Sequence, residues 1–310
     1  MAPFVGHHDA RLVRLSSRRR QAKPLPVERE RTQLLGKRQR ILEGHLSVNA
    51  VLSLCLSVAH VTETTPIGSS IQPIYLRHAS DLAQTASYLN EVSNGRFRLG
   101  LGVSHGPAHQ RLGVSVGKPL SDMRGYVEAM RAAEPQAGPL PPLVLATLRD
   151  RMLDLAVEIA DGAVWANGAR SHMSKQLQRV PHDKRDGFFL GNMVPTVIDD
   201  DRSAARAIHR RTLGGYVVLP NYRNYWRLAG YAEEMAAIEA ALAKGDRDAV
   251  AAAMSDQWLD DVTLSGSAGQ VRDGVEEWWE TGVTPILVPS STRGGQMQAF
   301  EDLFSVWTDG

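Results

Sequence analysis

From about residue 50 onward the chain alternates short apolar runs with longer segments whose apolar positions recur every three or four residues. The runs TPIGSSIQ (65–72), RFRLGLGV (96–103), PLVLATL (142–148), GAVWAN (162–167), GFFLGNMVPTV (187–197) and TPILVPS (284–290) have strand length and are flanked by Gly, Pro, Asn or Ser. Between them the spacing predicts helices over 80–92, 120–133, 149–160 and 171–180. In one, Leu82, Ala83, Ala86 and Leu89 form a single apolar stripe; in another, Met152, Leu153, Leu155, Ala156 and Ile159 do. Ser80 and Ser121 are the expected N-caps, and Asn94–Gly95 and Asp161–Gly162 the turns into the next strand. Apolar strands alternating with one-sided helices predict a parallel sheet covered by helices, an α/β fold.

Residues 200–281 depart from this rhythm. They read as a helical insertion, alanine-rich and without a convincing strand, placed between the fifth visible strand and the last. EPQAGPLPP (134–142) reads as a short irregular linker because proline is excluded from helix interiors. Six strands are visible, whereas a closed (β/α)8 barrel needs eight, so the missing pair is expected before residue 60. Residues 1–40 offer neither alternation nor a β-branched run. The expected organisation is a basic N-terminal segment at 1–40, poorly ordered or the product of a shifted reading frame, followed by one barrel domain over 41–310.

Charge sharpens that boundary. The net charge of +1 conceals +8 on residues 1–40 and −7 on the remainder. A phosphate-binding arm and a targeting peptide are readings of RLSSRRRQAK; a solvated tail is favoured over both, and no nucleic-acid partner is expected. Hydrophobic content of 43% and charge of 22% suit a soluble globular chain, and no apolar run approaches the roughly 20 residues needed to span a bilayer. The single Cys55, in LSLCLSV, excludes an intramolecular disulfide and reads as a buried structural thiol in a cytoplasmic protein.

Candidate chemistry gathers where strands end. GLGVSHG (100–106) supplies glycines, a hydroxyl and an imidazole, but the G-x-G-x-x-G dinucleotide fingerprint fails. Gly100 and Gly102 are read as letting a ligand ring approach the strand end, and His105 as a proton donor or acceptor; an exposed loop histidine is the plain alternative. His109 is a weaker candidate, and a His105/His109 metal pair is disfavoured because Pro107 interrupts the helix and no third ligand is near. Gly68-Ser69-Ser70-Ile71 suggests a bulge or a cofactor shelf. Ala146-Thr147-Leu148, Ala166-Asn167-Gly168 and Arg293-Gly294-Gly295 each stand where backbone N–H groups could meet a phosphate at the start of the next helix. Trp165, Trp278 and Trp279 are read as packing residues, and Tyr222, Tyr225 and Trp226 as core residues or a pocket wall. No G-x-S-x-G elbow, Walker A loop or H-E-x-x-H motif is present, which disfavours hydrolase and phosphotransferase chemistry.

The run HASDLAQTASYLNEVSNGRFRLGLGVSHG, with PLSDMRGYVEAMR, PLVLATLRDRMLDLAVEIADGAVWAN and IDDDRSAARAIHRR, resembles the luciferase-like monooxygenase superfamily, specifically its coenzyme F-420-dependent oxidoreductases. The resemblance covers about residues 60–290 and implies a (β/α)8 TIM barrel with a helical insertion. It implies a bulge supporting the flavin-type ring, which falls on Ser70 and Ile71 with Gly68 before it. It places Val103, Ser104 and His105 near the ring's reactive carbon, and Ala146, Thr147, Leu148, Asn167 and Gly168 around the cofactor phosphate. Some relatives carry a basic residue where this chain has Ala169, with Arg170 next to it. Glu43-Gly44-His45 resembles the acidic-His close of the second barrel strand, while residues 1–40 match nothing expected. The implied activity is hydride transfer between coenzyme F-420 and a small organic substrate, in a homodimer. An FMN-dependent monooxygenase and a non-catalytic cofactor-binding barrel are the alternatives.

Overall fold

The computed structural model describes residues 50–308; the basic segment 1–40 and Glu43-Gly44-His45 lie outside the described residues. Eight parallel-paired strands run through it: β1 (Ile67–Gly68), β2 (Gln72–Pro73), β3 (Phe97–Gly102), β4 (Leu143–Ala146), β5 (Gly162–Ala166), β6 (Phe189–Ile198), β7 (Leu264–Gly266) and β8 (Thr284–Ser290). β1 and β2 both pair with β3, at Ile67↔Phe97 and Pro73↔Gly102, so they are the two ends of one span. The stretch 65–72 was expected as one strand with a bulge or shelf at Gly68–Ile71, and it breaks between Ser69 and Ile71, where a side-chain hydroxyl replaces a ladder bond.

Beyond β3 the order is β4, β5, β6, β8. β8 covers Gly191–Val197 on one side of β6, so β7, which pairs with Thr196–Ile198, lies on the other side, past the end of β5 at Met193. No strand was expected between 200 and 281. Three residues are too few to show alternation, and only the exposed end of the β6 ladder makes Leu264–Gly266 a strand.

The sheet curls into a half-barrel. Among the described residues, neither the β1/β2 span nor β8 has a further strand on its outer edge. β8 reads TPILVPS and keeps a seven-residue register with β6. Because Pro285 and Pro289 cannot donate, the N–H groups facing β6 must come from Ile286, Val288 and Ser290. The outer edge keeps a single N–H, that of Leu287.

Helices cover the outer face. Leu99 and Leu101 on β3 and Leu143 and Leu145 on β4 pack against the stripes of Ala79–Val92 (Leu82, Ala86, Leu89), Pro119–Ala132 (Met123, Val127, Met130) and Asp150–Ile159 (Leu153, Ala156), all fully or nearly buried. Each of the leucine, methionine and valine side chains contributes about 1.5–3 kcal/mol by leaving water. Arg96, from the SNGRF motif, holds the end of the helix Ala50–Val61: its guanidinium donates to the carbonyls of Ala59, Thr62 and Thr65 at 3.1, 2.8 and 2.6 Å. Between β6 and β7 stand five helices, Arg202–Val217, Pro220–Leu228, Ala232–Lys244, Arg247–Ala252 and Asp256–Val262. They share a core of their own that includes Leu213, Tyr225, Trp226, Ile238 and Trp258.

Several local expectations are corrected. The N-caps are His78 and Lys118, and Ser80 and Ser121 lie within the first turns, because His78 Nδ1 accepts from Ser80 N–H and Pro119 is preset for the first helical position. The linker contains a one-turn helix, Glu134–Ala137, with Pro135 in its first turn, where no N–H is needed. Pro107 likewise begins, and does not break, the helix Gly106–Leu112. Trp165 and Trp278 are buried, whereas Trp279 is 61% exposed.

Candidate functional site

The interrupted first span is held against β3 by Ser69. Its Oγ accepts from Gly100 N–H at 3.1 Å and donates to Gly100 O at 3.3 Å. The following peptide, Ser70–Ile71, is cis. A Cβ at Gly100 would lie 1.9 Å from the Ser69 carbonyl oxygen, and one at Gly102 would lie 2.5 Å from Ile71 Cδ1 and 3.2 Å from Ala146 Cβ. The two glycines therefore make room for the bulge itself, not directly for a ligand as the sequence suggested. Ser70 is exposed, and its hydroxyl donates to Met193 Sδ at 3.0 Å. Gly68 sits apart: it pairs with Arg98, toward the other end of β3, and its carbonyl accepts from the Cys55 thiol at 3.7 Å. Burial pushes that thiol's pKa up, as for an inert structural cysteine.

The rim after β3 carries Val103, Ser104 and His105, all half-buried, with Ser104 in the left-handed region (φ 59°). His109 Nε2 stands 2.6 Å from the Val103 carbonyl oxygen, which can only accept, so this nitrogen carries the proton. The His109 ring meets Tyr75 edge-on at 5.2 Å, and Tyr75 donates to Asp122 at 2.7 Å, which also accepts from Gly117 N–H at 2.8 Å. His109, Tyr75 and Asp122 thus brace the rim, a role the sequence did not signal. His105 Nδ1 is buried and has no hydrogen-bond partner among the described residues. Burial, then the nearby His109 and Arg111, hold the His105 pKa below the ordinary imidazole value, so its ring is neutral at pH 7.

The next two rims are more enclosed. Thr147 is buried and donates its N–H to Val164 O at 2.8 Å; Ala146 and Leu148 are half-buried, and the Leu148 carbonyl accepts from Gln176 Nε2 at 3.2 Å. After β5, Asn167 takes a left-handed conformation (φ 57°). Gly168 N–H donates to Asn192 Oδ1 at 3.0 Å, Ala169 N–H to Tyr225 Oη at 3.0 Å and Ser171 N–H to Asp261 Oδ1 at 2.8 Å. Of the N–H groups expected to face a phosphate, those of Thr147, Asn167 and Gly168 are taken by the chain's own acceptors, Val164 O, Met193 O and Asn192 Oδ1. Arg170 is paired with Glu277, and Arg293 after β8 with the buried Asp302, so neither basic residue stands free. Tyr225 and Trp226 are fully buried, yet both hydrogen-bond this rim, so core packing and support of the site coincide.

At the C-terminal ends of the strands Ile71 and Ala146 meet at Gly102, immediately before Val103, Ser104 and His105, while Ser70 reaches Met193, and Thr147, Asn167 and Gly168 follow β4 and β5. Ile71, Ala146 and Val103 offer an apolar shelf for a flat ring. Thr147 Oγ1 and Asn167 Nδ2 are buried donors with no partner among the described residues, as an anionic tail beside that ring requires. The residues fit a flavin-type cofactor bearing a phosphate.

The comparisons agree with this architecture. A 5,10-methylenetetrahydromethanopterin reductase of Archaeoglobus fulgidus is 25% identical over 280 residues, 80% of this chain and 84% of the relative. The coenzyme F-420-dependent tetrahydromethanopterin reductase of Methanopyrus kandleri superposes with a TM-score of 0.64 at 17% identity, covering 82% of this chain and 85% of that one. An F-420-dependent secondary alcohol dehydrogenase, solved with an F-420-acetone adduct, gives 0.58 at 13% identity, covering 78% of each chain. At such identities the solved structures speak for the fold. The match of residues 41–285 to the family description, over the same strands that build the rim, carries the conclusion: this chain belongs to the luciferase-like monooxygenase family.

Proposed function

We propose that the protein is an oxidoreductase that transfers a hydride between coenzyme F-420 and a small organic substrate at the strand-end rim. The observation that carries this reading is the broken β1/β2 span: Ser69 pins it to Gly100, Ile71 lies over Gly102 next to Ala146, and an exposed Ser70 reaches Met193. The names of the relatives, F-420-dependent reductases and a dehydrogenase among them, support the same choice. When bound, the deazaflavin supplies the hydride-accepting carbon and has little reactivity toward oxygen. The chain's part is to orient and to move protons. Ile71, Ala146 and Val103 seat the ring; Thr147 and Asn167 hold its phosphate end; neutral His105 takes or returns a proton on the substrate. The same reading carries a cytoplasmic setting and a homodimer, the latter checked by light scattering.

Cofactor titration tests it. Saturable quenching of F-420 fluorescence, with no binding of FMN, is expected. Saturable FMN binding with F-420 indifferent would replace the reading with a flavin monooxygenase.

A further inference from the structure

Beyond Asn167, the rim to Ser171 has no ladder of its own, and four hydrogen bonds join the rim to helices 56–90 residues further along. Trp226 Nε1 donates to Asn167 O at 3.1 Å, Ala169 N–H donates to Tyr225 Oη at 3.0 Å, and Ser171 donates from N–H and Oγ to Asp261 at 2.8 and 2.7 Å. Tyr225, Trp226 and Asp261 all belong to the helical insertion and are 0%, 0% and 8% exposed. Asp261 is itself held by Tyr231, whose hydroxyl donates to it at 2.8 Å, and Trp226 is braced edge-on by Trp258 at 4.8 Å. Leaving such buried partners unmade costs more than making them gains, so the loop has little freedom while the insertion is in place.

We propose that the helical insertion sets the shape of the Asn167–Ser171 rim, with Tyr225, Trp226 and Asp261 as positioning residues, and thereby sets the affinity for the phosphate end of the cofactor. The second half rests on the cofactor reading above; the first does not. Asn167 is the link. Its carbonyl is fixed by Trp226, which orients the residue whose Nδ2 has no hydrogen-bond partner among the described residues. Asp261 acts from the far end of the rim by fixing the N–H and hydroxyl of Ser171, which holds the course of the backbone leading back to Asn167.

The test uses the full-length protein and Tyr225→Phe, Asp261→Asn and Asp261→Ala. Amide hydrogen exchange of the free protein is measured, then titration with coenzyme F-420 and with its phosphate-free deazaflavin chromophore. Tyr225→Phe keeps the ring and removes one acceptor, so exchange at Ala169 should rise about tenfold or more, and Asp261→Ala should do the same at Ser171. Asp261→Asn keeps an acceptor oxygen and should restore near-native exchange. F-420 should bind about tenfold more weakly to Tyr225→Phe and Asp261→Ala, and the phosphate-free ligand about equally well to all. That ratio does not move with general loss of stability.

Should Asp261→Ala fail to fold, Tyr225→Phe and Asp261→Asn still decide the matter. Native exchange across 167–171 in Tyr225→Phe would overturn the positioning role. Equal weakening of both ligands would overturn its link to the phosphate. If neither ligand binds the unaltered protein, the cofactor reading and the second half fall together, and the exchange data alone judge the first.

Discussion

Replacing Gly100 by alanine is the most direct perturbation of the bulge, and its size follows from the geometry. The new Cβ would stand 1.9 Å from the Ser69 carbonyl oxygen, about 1.5 Å inside an ordinary van der Waals contact of 3.4 Å or more. The obstacle is backbone, so no side chain can swing aside; the β1–β2 junction itself must move, and with it the bonds between Ser69 Oγ and Gly100. Overpacking of about 1–3 kcal/mol plus a lost buried hydrogen bond of about 1 kcal/mol predicts a loss of about 2–4 kcal/mol. At about 2–4 °C per kcal/mol for a chain of this size, Gly100→Ala should lower Tm by about 4–16 °C. Gly102→Ala meets the far end of the flexible Ile71 side chain and should cost about 1–2 kcal/mol. Gly106→Ala, with nothing within 4 Å at the start of a helix, should be neutral or stabilising by up to about 1 kcal/mol. Calorimetry on the three variants supplies the ranking. A Gly100→Ala protein that melts within a degree of the parent would refute the claim that these glycines exist to admit the bulge.

Other outcomes follow from single groups. His105→Gln should lower turnover by about 10²–10⁴ while leaving cofactor affinity within about twofold, read by steady-state kinetics beside a binding titration; an unchanged rate removes His105 from proton transfer. His209 is buried at 1% exposure with Nε2 on the Leu264 carbonyl, and burial lowers its pKa to about 4. The unfolded chain binds that proton near pH 6.5 and the native one does not, so stability should fall as pH drops from about 6.5 to 4, by about 3 kcal/mol from this group. Denaturant titrations across that range check it, and a flat profile counts against a neutral buried imidazole. Cys55, 6% exposed with a raised pKa, should react with a thiol reagent slowly in the native protein and rapidly after unfolding.

Much of this architecture can be read from spacing alone. TPILVPS is bounded in the structure at the same residues as in the pattern, and β3, β4, β5 and β6 lie within or one residue beyond their apolar runs. The helix stripes of Leu82–Leu89 and Leu153–Ile159 face the sheet as their period requires. These elements are legible because burial of one face leaves a periodic trace over many residues. The helix starts were displaced because proline and histidine caps compete with serine over a distance of one or two positions. The break at Ser69–Ile71 is marked only by small residues, which equally suit a plain strand.

The sequence by itself determined the parallel α/β layering, the order of strands and helices, and the placement of candidate chemistry at strand ends, since periodicity and turn residues act locally. Only the tertiary structure decided which polar groups those ends leave free. DQWLDDV shows three carboxylates, and nothing in their spacing tells Asp261 from the others. Folded, Asp256 and Asp260 meet the arginines of a neighbouring helix, while Asp261 turns inward to Ser171, 90 residues earlier in the chain. Hydrogen bonds across such separations depend on how the insertion packs, and packing is a property of the assembled layers that no local pattern records.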